Sequence, residues 1–441
     1  MGMFSSLSRE QREATAILQI GTFLEYFDLM IYVHMAVLLN ELFFPKADPY
    51  IANLVSATTF CSIFVFRPFG ALFFGYIGDT IGRKATVIIT TLMMACCCVF
   101  MAILPTYAQI GITAAWLLTI CRIMQGLSSM GEMIGAQIYL TELIKPPARY
   151  PAVCLMAVAA SFGGLAALGV ATGVFALGID EWRAVFWIGA VIAVVGTVAR
   201  TALREAPDFL NAKLQLKQNL DENITLKENP ITNEKVNQKT SLAYFFIQNA
   251  QPVKFYFLYI HCANILKNTF NYTAAQIIHH NLIVSITECM VMLCFTHLSY
   301  RIYPLKIINF RWIIFSVFVI LIPYLLNNVT IALHLLFIQI FVCLFKPTTT
   351  PAPAIFFVHF PIFKRFRYVS CLYAISRALV YIITSFGFVY LTKLFGHWGL
   401  LIVFIPILML FKFGVNHFEK LEKKAGNYPT KYTLTLKEQI I

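Results

Sequence analysis

The sequence predicts an all-α membrane protein with twelve transmembrane helices arranged as two six-helix bundles. Three observations lead there: a charge-poor composition, a series of apolar runs each long enough to cross a bilayer, and one polar stretch that divides them six and six. Of the 441 residues, 59% are hydrophobic and 12% charged, and the mean hydropathy is +0.73. Water-soluble domains carry about 25% charged residues, so this composition suits lipid as solvent. A crossing takes about 20 mostly apolar residues over about 30 Å of hydrocarbon, and twelve of them with short loops fit the chain.

Taken in order, the apolar runs cover 16–44, 52–77, 85–104, 112–141, 150–178 and 184–203, then 253–278, 281–299, 307–326, 331–358, 368–392 and 397–415. Between the two sets, Arg204 to Gln251 is rich in Asn, Lys, Glu and Gln and too polar to bury a core. The expected organisation is an N-terminal bundle over 1–203, a cytoplasmic linker over 204–252, a second bundle over 253–417 and a cytoplasmic tail over 418–441. Ahead of the first run, Arg9, Glu10, Arg12 and Glu13 precede a long apolar stretch without a small-residue cleavage pattern, which reads as a first membrane helix rather than a removable signal. Two six-span halves suggest a carrier with its substrate site between bundles near mid-membrane.

The net charge of +13 is placed between apolar runs rather than on a soluble face, which argues against nucleic acid. With a cytoplasmic N-terminus, the inside loops and their edges hold Arg83, Lys84, Lys145, Arg149, Arg204, Lys213, Lys217, Arg301, Lys306, Arg311, Lys364, Arg365 and Arg367, whereas the outside loops hold little beyond Lys46, Arg183 and Lys393. Short basic loops resist translocation, so both termini and the linker are expected inside, in the inner membrane. Most of the eleven cysteines fall inside apolar runs, Cys96, Cys97 and Cys98 in succession, and read as small core or lipid-facing residues. No zinc spacing, phosphate loop or dinucleotide fingerprint is present, so neither an enzyme nor a metal or cofactor site has an anchor.

Between the second and third runs stands Gly75-Tyr76-Ile77-Gly78-Asp79-Thr80-Ile81-Gly82-Arg83-Lys84. This resembles the signature loop of the major facilitator superfamily, with Thr80 where that family usually has arginine. Gly82 permits the turn, and Asp79 can latch onto basic groups or a helix N-terminus across the bundle interface. Gly75, Asp79, Gly82, Arg83 and Lys84 are therefore the expected gating loop. The stretches Gly21 to Tyr32, Phe43-Phe44-Pro45, Arg67-Pro68-Phe69-Gly70, Pro105-Thr106-Tyr107, Arg122 to Gly126, Gly131-Glu132 and Leu203 to Phe209 resemble the metabolite:proton symporter family, whose members carry proline/betaine, citrate, shikimate and 2-oxoglutarate. The resemblance covers nearly the whole first half. It implies proton-coupled symport of a small polar metabolite, without ATP or a prosthetic group, by a chain expected to act as a monomer in lipid.

The same residues attract attention without any family. Glu25 and Asp28 are three apart and share a helix face inside the first run. An acid at mid-membrane costs about 2.5–3.5 kcal/mol on insertion scales, so it tends to face a cavity or a partner. Arg67, Arg122 and Glu132, the last about 15 Å further along the fourth run at about 1.5 Å per residue, supply candidates. Glu25 or Asp28 is the first choice for the coupling proton, because adjacent carboxylates in low dielectric hold protons more tightly; Glu132 is the second. Arg122 is expected either to hold a substrate carboxylate or to neutralise an acid. In the fifth run, Gly169 and Gly173 form a step that lets helices approach.

The second half departs from the family. Tyr300 and Tyr303 stand where the repeated loop would carry an acid and a glycine, His359 replaces an acid, and Ala374 and Arg377 replace a polar amide and a small residue. His261, Asn264, Lys267, Asn268 and Asn271 crowd the seventh run, and a wet stripe toward a central cavity is expected. Lys267 is expected either to pair with Glu288 in the eighth run or to bind an anionic substrate, and His279 and His280 to lie in a loop or at the interface. The tail lacks a sustained heptad pattern, which argues against osmosensing through a coiled coil. Alongside symport, a proton-independent exchanger and a non-transporting receptor remain open.

Overall fold

The computed structural model describes residues 7–44, 66–177, 182–221 and 234–429. The first half contains α1 (Arg9–Phe43), α2 (66–80), α3 (Arg83–Ile103), α4 (Tyr107–Ile110), α5 (Ile112–Ser129), a π turn at Met130–Ile134, α6 (Gly135–Leu143), α7 (Arg149–Leu177), α8 (Trp182–Thr201) and α9 (Pro207–Asp221). After the linker come α10 (Gln238–Gln248), α11 (Ala250–Phe255), a π turn at Tyr256–His261, α12 (Cys262–Phe270), α13 (Ala274–Leu298), α14 (Pro304–Asn327), α15 (Ala332–Phe345), α16 (Pro353–Val358), α17 (Ile362–Phe395) and α18 (Leu400–Lys424). Each expected run has helix at its place; the start of the second, before residue 66, lies outside the described residues. By length and composition, Arg83–Ile103, Arg149–Val170, Gln276–Leu298, Pro304–Asn327, Ile362–Thr384 and Tyr390–Lys424 are each long and apolar enough to cross a membrane. The fourth and seventh runs are continuous in sequence but interrupted by π turns in structure.

The chain forms two compact units. The first comprises residues 1–235 together with 360–378, so the first turns of α17 belong to it. Its core joins Phe27, Ile31 and Phe43 of α1 to Met101 of α3 and to Trp182 and Phe186 of α8, with Trp182 edge-on to Phe43 at 5.4 Å. α7 comes close to α1 at Gly163, where any side chain would overlap the Phe23 carbonyl, whereas a Cβ at Gly169 meets open space among the described residues. Gly173 lies outside the residues whose side-chain surroundings are described.

The second unit comprises residues 236–359 and 379–441. Its core is aromatic: Phe257 and Phe388 both pack against Phe404, at 5.4 and 5.7 Å between ring centres. The π turn at Tyr256–His261 has a side-chain partner. The Leu258 carbonyl accepts a hydrogen bond from Gln339 Nε2 at 2.7 Å, and Gln339 Oε1 faces His280 Nε2 at 2.6 Å. A carbonyl loosened from the helix ladder is thereby satisfied from a neighbouring helix. His280, expected at a loop or interface, is buried.

Candidate functional site

Among the described residues of the first unit, two of the expected intramembrane charges form a pair. Glu25 on α1 and Arg67 on α2 approach to 4.0 Å, and the residues are only 2% and 5% exposed. Arg122 on α5 is also buried, and its Nη1 donates to Gln125 Oε1 at 2.6 Å, one turn on. Next to Glu25, Tyr26 donates from its hydroxyl to the Met133 sulfur at 3.2 Å, tying α1 to the π turn of the fourth run. The side chains of Asp28 and Glu132 lie outside the described residues. The backbone places Asp28 one turn beyond Glu25 on α1 and Glu132 inside the Met130–Ile134 π turn.

The Gly75–Lys84 loop is assembled around Arg83. Gly82, at φ +148°, ends one helix and caps the next, a backbone conformation open to glycine. Glu205 accepts from the Arg83 and Lys84 amides at 2.9 and 3.3 Å, placing a carboxylate on the N-terminus of α3. The Arg83 guanidinium is fully buried and forks onto Glu142, Nε to Oε2 at 3.0 Å and Nη2 to Oε1 at 3.1 Å. It also donates to the Gly78 and Ile362 carbonyls and to Asp79 Oδ1. Arg365 adds a second cation to Glu142 at 2.8 Å. Asp79 accepts the amides of Phe366 and Arg367, each at 3.0 Å, on the first turns of α17. That approach requires Gly75, where a Cβ would sit 2.6 Å from the Arg367 Cα. Asp79 lies past the apolar run; burial pushes its carboxyl up to about 6, against the lowering influence of Arg83 and the two amides.

Of the residues expected in this loop, Asp79 and Arg83 meet at 3.3 Å beside the Gly82 turn. Sequence reasoning missed the role of Glu142, which the Thr141-Glu142 pair at the end of an apolar run signals only weakly, and read Arg365 as an ordinary loop charge.

The second unit holds a charged cluster of its own. Glu288 on α13 receives Lys254 Nζ at 3.1 Å and Lys346 Nζ at 2.6 Å on Oε1, and the Tyr259 hydroxyl at 2.9 Å on Oε2. Ser285 donates in turn to Tyr259 at 3.1 Å. Lys267, the partner sequence reasoning offered to Glu288, is exposed near the end of α12. Arg311, expected at a loop edge, is buried two turns into α14. Near the chain's end, Glu422 accepts from Tyr303 and sits 2.7 Å from His359 Nε2, so two of the residues that replaced family positions share one carboxylate.

The long apolar helices, with buried carboxylate–cation networks and a glycine-permitted loop between them, define a multi-pass helical membrane protein. The family model of the Major Facilitator Superfamily matches residues 18–418, and the chain belongs to that superfamily as a multi-pass membrane protein. It is similar to the inner membrane metabolite transport protein YhjE of Escherichia coli (strain K12), 37% identical over 218 residues, 45% of this chain and 47% of the relative. It is also similar to the proline/betaine transporter of Salmonella typhimurium (strain LT2), 33% identical over 208 residues, 45% of this chain and 41% of the relative. The match thus spans about half the length of these curated relatives. Among solved structures, the proton:xylose symporter XylE bound to 6-bromo-6-deoxy-D-glucose superposes with a TM-score of 0.74 at 16% identity, covering 93% of this chain and 95% of that one, which shows the fold.

Proposed function

We propose that this chain is a secondary active transporter that carries a small polar metabolite, an osmolyte, amino acid or carboxylate, together with a proton. It does so across the inner membrane by alternating access. The observation that carries the reading is the Glu25–Arg67 pair, buried where two apolar helices meet. A charge there is costly unless it serves a partner or a cavity. An acid facing an arginine at 4.0 Å can release the arginine when it takes a proton, and the arginine can then accept a substrate carboxylate. Asp28 and Glu132 are the further proton candidates of the same bundle, and Arg122 the further anion contact. Relatives that carry metabolites and proline/betaine support a small polar substrate.

In this reading the bundles are 1–203 and 253–417, both termini are cytoplasmic, and the monomer is the working unit. The loop of Gly75, Asp79, Gly82, Arg83 and Lys84 is the cytoplasmic gate, held shut by Asp79 on the α17 amides. Lys267, exposed and bordered by Asn264 and Asn268, is a candidate contact for an anionic substrate.

The test is uptake by proteoliposomes under an imposed proton gradient, with a panel of betaines, amino acids and dicarboxylates. The wild type is expected to accumulate one class. Glu25→Gln is expected to lose accumulation while still exchanging labelled for unlabelled substrate, because only the proton step is removed. Normal accumulation by Glu25→Gln would move the proton site elsewhere, and transport that needs internal substrate but no pH gradient would make the protein an exchanger.

A further inference from the structure

The Lys254–Glu288–Lys346 cluster has more positive charge than it needs. Lys254, Arg311 and Lys346 are all buried, and the carboxylate within ion-pair distance of the two lysines is Glu288. Arg311 stands beside this group with its Nε on the Leu344 carbonyl at 3.0 Å, its Nη1 on the Thr350 carbonyl at 3.2 Å and its guanidinium 4.3 Å above the Phe295 ring. Among the described residues it meets no carboxylate at ion-pair distance. Counted as fully protonated, three basic groups against one carboxylate would leave a surplus of two charges away from water. Such a surplus is stable only when something negative answers it or a proton leaves.

A second, independent observation concerns the backbone. The helix α15 stops at Phe345 and α16 begins at Pro353, so residues 346–352 run without helix inside an otherwise apolar run. Non-helical backbone at membrane depth is tolerated where it is buried in protein or lines a cavity. Here it lines one: Lys254, Glu288, Arg311, Lys346, Thr348 and Thr350 surround a small cavity whose remaining wall is apolar. Its free space is about that of one water molecule, so it excludes a carboxylate or phosphate group and admits a chloride ion only with a small outward shift of the lining side chains. Glu288 already has both oxygens engaged, whereas each lysine ammonium has three N–H donors and uses one on Glu288.

We infer that this cavity is a halide site, in which a chloride ion is held by the ammonium groups of Lys254 and Lys346 and the charge of Arg311. The ion offsets the surplus charge and fixes the broken helix 346–352 against α11, α13 and α14. Bound chloride therefore stabilises the second unit, and Glu288 opposes its binding electrostatically. The site is separate from the Glu25–Arg67 pair and does not depend on which substrate is carried or whether protons are.

The test uses the purified full-length protein in detergent and reads the thermal unfolding midpoint during a titration of sodium chloride into sodium gluconate at constant ionic strength. The wild type is expected to gain stability saturably with chloride. Glu288→Gln, which removes the competing negative charge, is expected to need about tenfold less chloride for half the effect; Lys346→Met is expected to flatten the response. If Glu288→Gln does not fold, the wild type against Lys254→Gln gives the same contrast, with a weakened response in the variant. Equal midpoints in chloride and gluconate for the wild type would overturn the assignment and mean that a lysine has shed its proton instead. A saturable gain with sulfate equal to that with chloride, lost in Lys346→Met, would also overturn it, by showing a site for a polyatomic anion.

Discussion

Arg83 is fully buried, and the hydrogen bonds to Glu142, Asp79, Gly78 and Ile362 engage all five of its N–H donors. A lysine offers a single ammonium in place of the fork. Arg83→Lys is therefore expected to lower stability by about 3–5 kcal/mol, the cost of breaking a buried pair, read as a drop in thermal midpoint. Glu142→Gln should cost a similar amount, and the double variant less than the sum, because both changes break one network. Asp79 gives a pH signature. Burial raises its carboxyl from 3.8 to about 6, so the folded loop holds the proton more tightly than the unfolded chain. Its contribution to stability is accordingly full below 3.8, falls as pH rises toward about 6, and is constant above. Asp79→Asn should remove that slope, so the midpoint difference between wild type and variant narrows over this window; an unchanged slope would place the titration on another group. At this scale the sequence was informative where residues act locally. Asp79, Gly82 and Arg83 sit within one turn and were legible. Glu142 and the lysines of Glu288 were not, since Arg83 meets Glu142 across 59 residues and Glu288 meets its lysines across 34 and 58. Nothing in a one-dimensional pattern pairs charges so far apart.

Helix existence followed from apolar length, which a single pass along the chain can measure. Helix approach did not. The Gly169–Gly173 spacing marks a packing step, of which Gly173 lies outside the described surroundings; among the described glycines of α7 the tight contact with α1 is at Gly163, and which glycine faces a neighbour depends on the rotation of α7 against α1. Two substitutions separate these readings. Gly163→Ala should destabilise by about 1–3 kcal/mol through forced displacement of α1. Gly169→Ala, whose Cβ meets open space, should be neutral or stabilising by up to about 1 kcal/mol from helix propensity. Both are read from thermal unfolding in detergent, and equal losses would contradict the assigned approach. The π turns at Met130–Ile134 and Tyr256–His261 were likewise invisible in sequence, since an extra residue in a helical turn leaves composition unchanged. One holds the backbone of Glu132; the other is stabilised by Gln339.

For the whole molecule, the superfamily match over residues 18–418 and the buried acid–base pair of the first unit point the same way. The distribution of lysine and arginine predicts that a cysteine placed at position 426, just past α18, reacts with an impermeant maleimide only after the membrane is opened; reaction in sealed spheroplasts would reverse the topology. The class of molecule was legible because hydrophobic length and intramembrane charge are additive properties of the chain. The substrate was not, because recognition of a small molecule rests on side chains brought together by folding. The central claim is that proton and metabolite cross in one cycle. Its most direct measurement is internal pH, followed with a trapped pH-sensitive dye, in proteoliposomes given external substrate without an imposed gradient. Acidification of the lumen in step with uptake, absent in Glu25→Gln, is the predicted result; uptake at the same rate with no change in internal pH would contradict it.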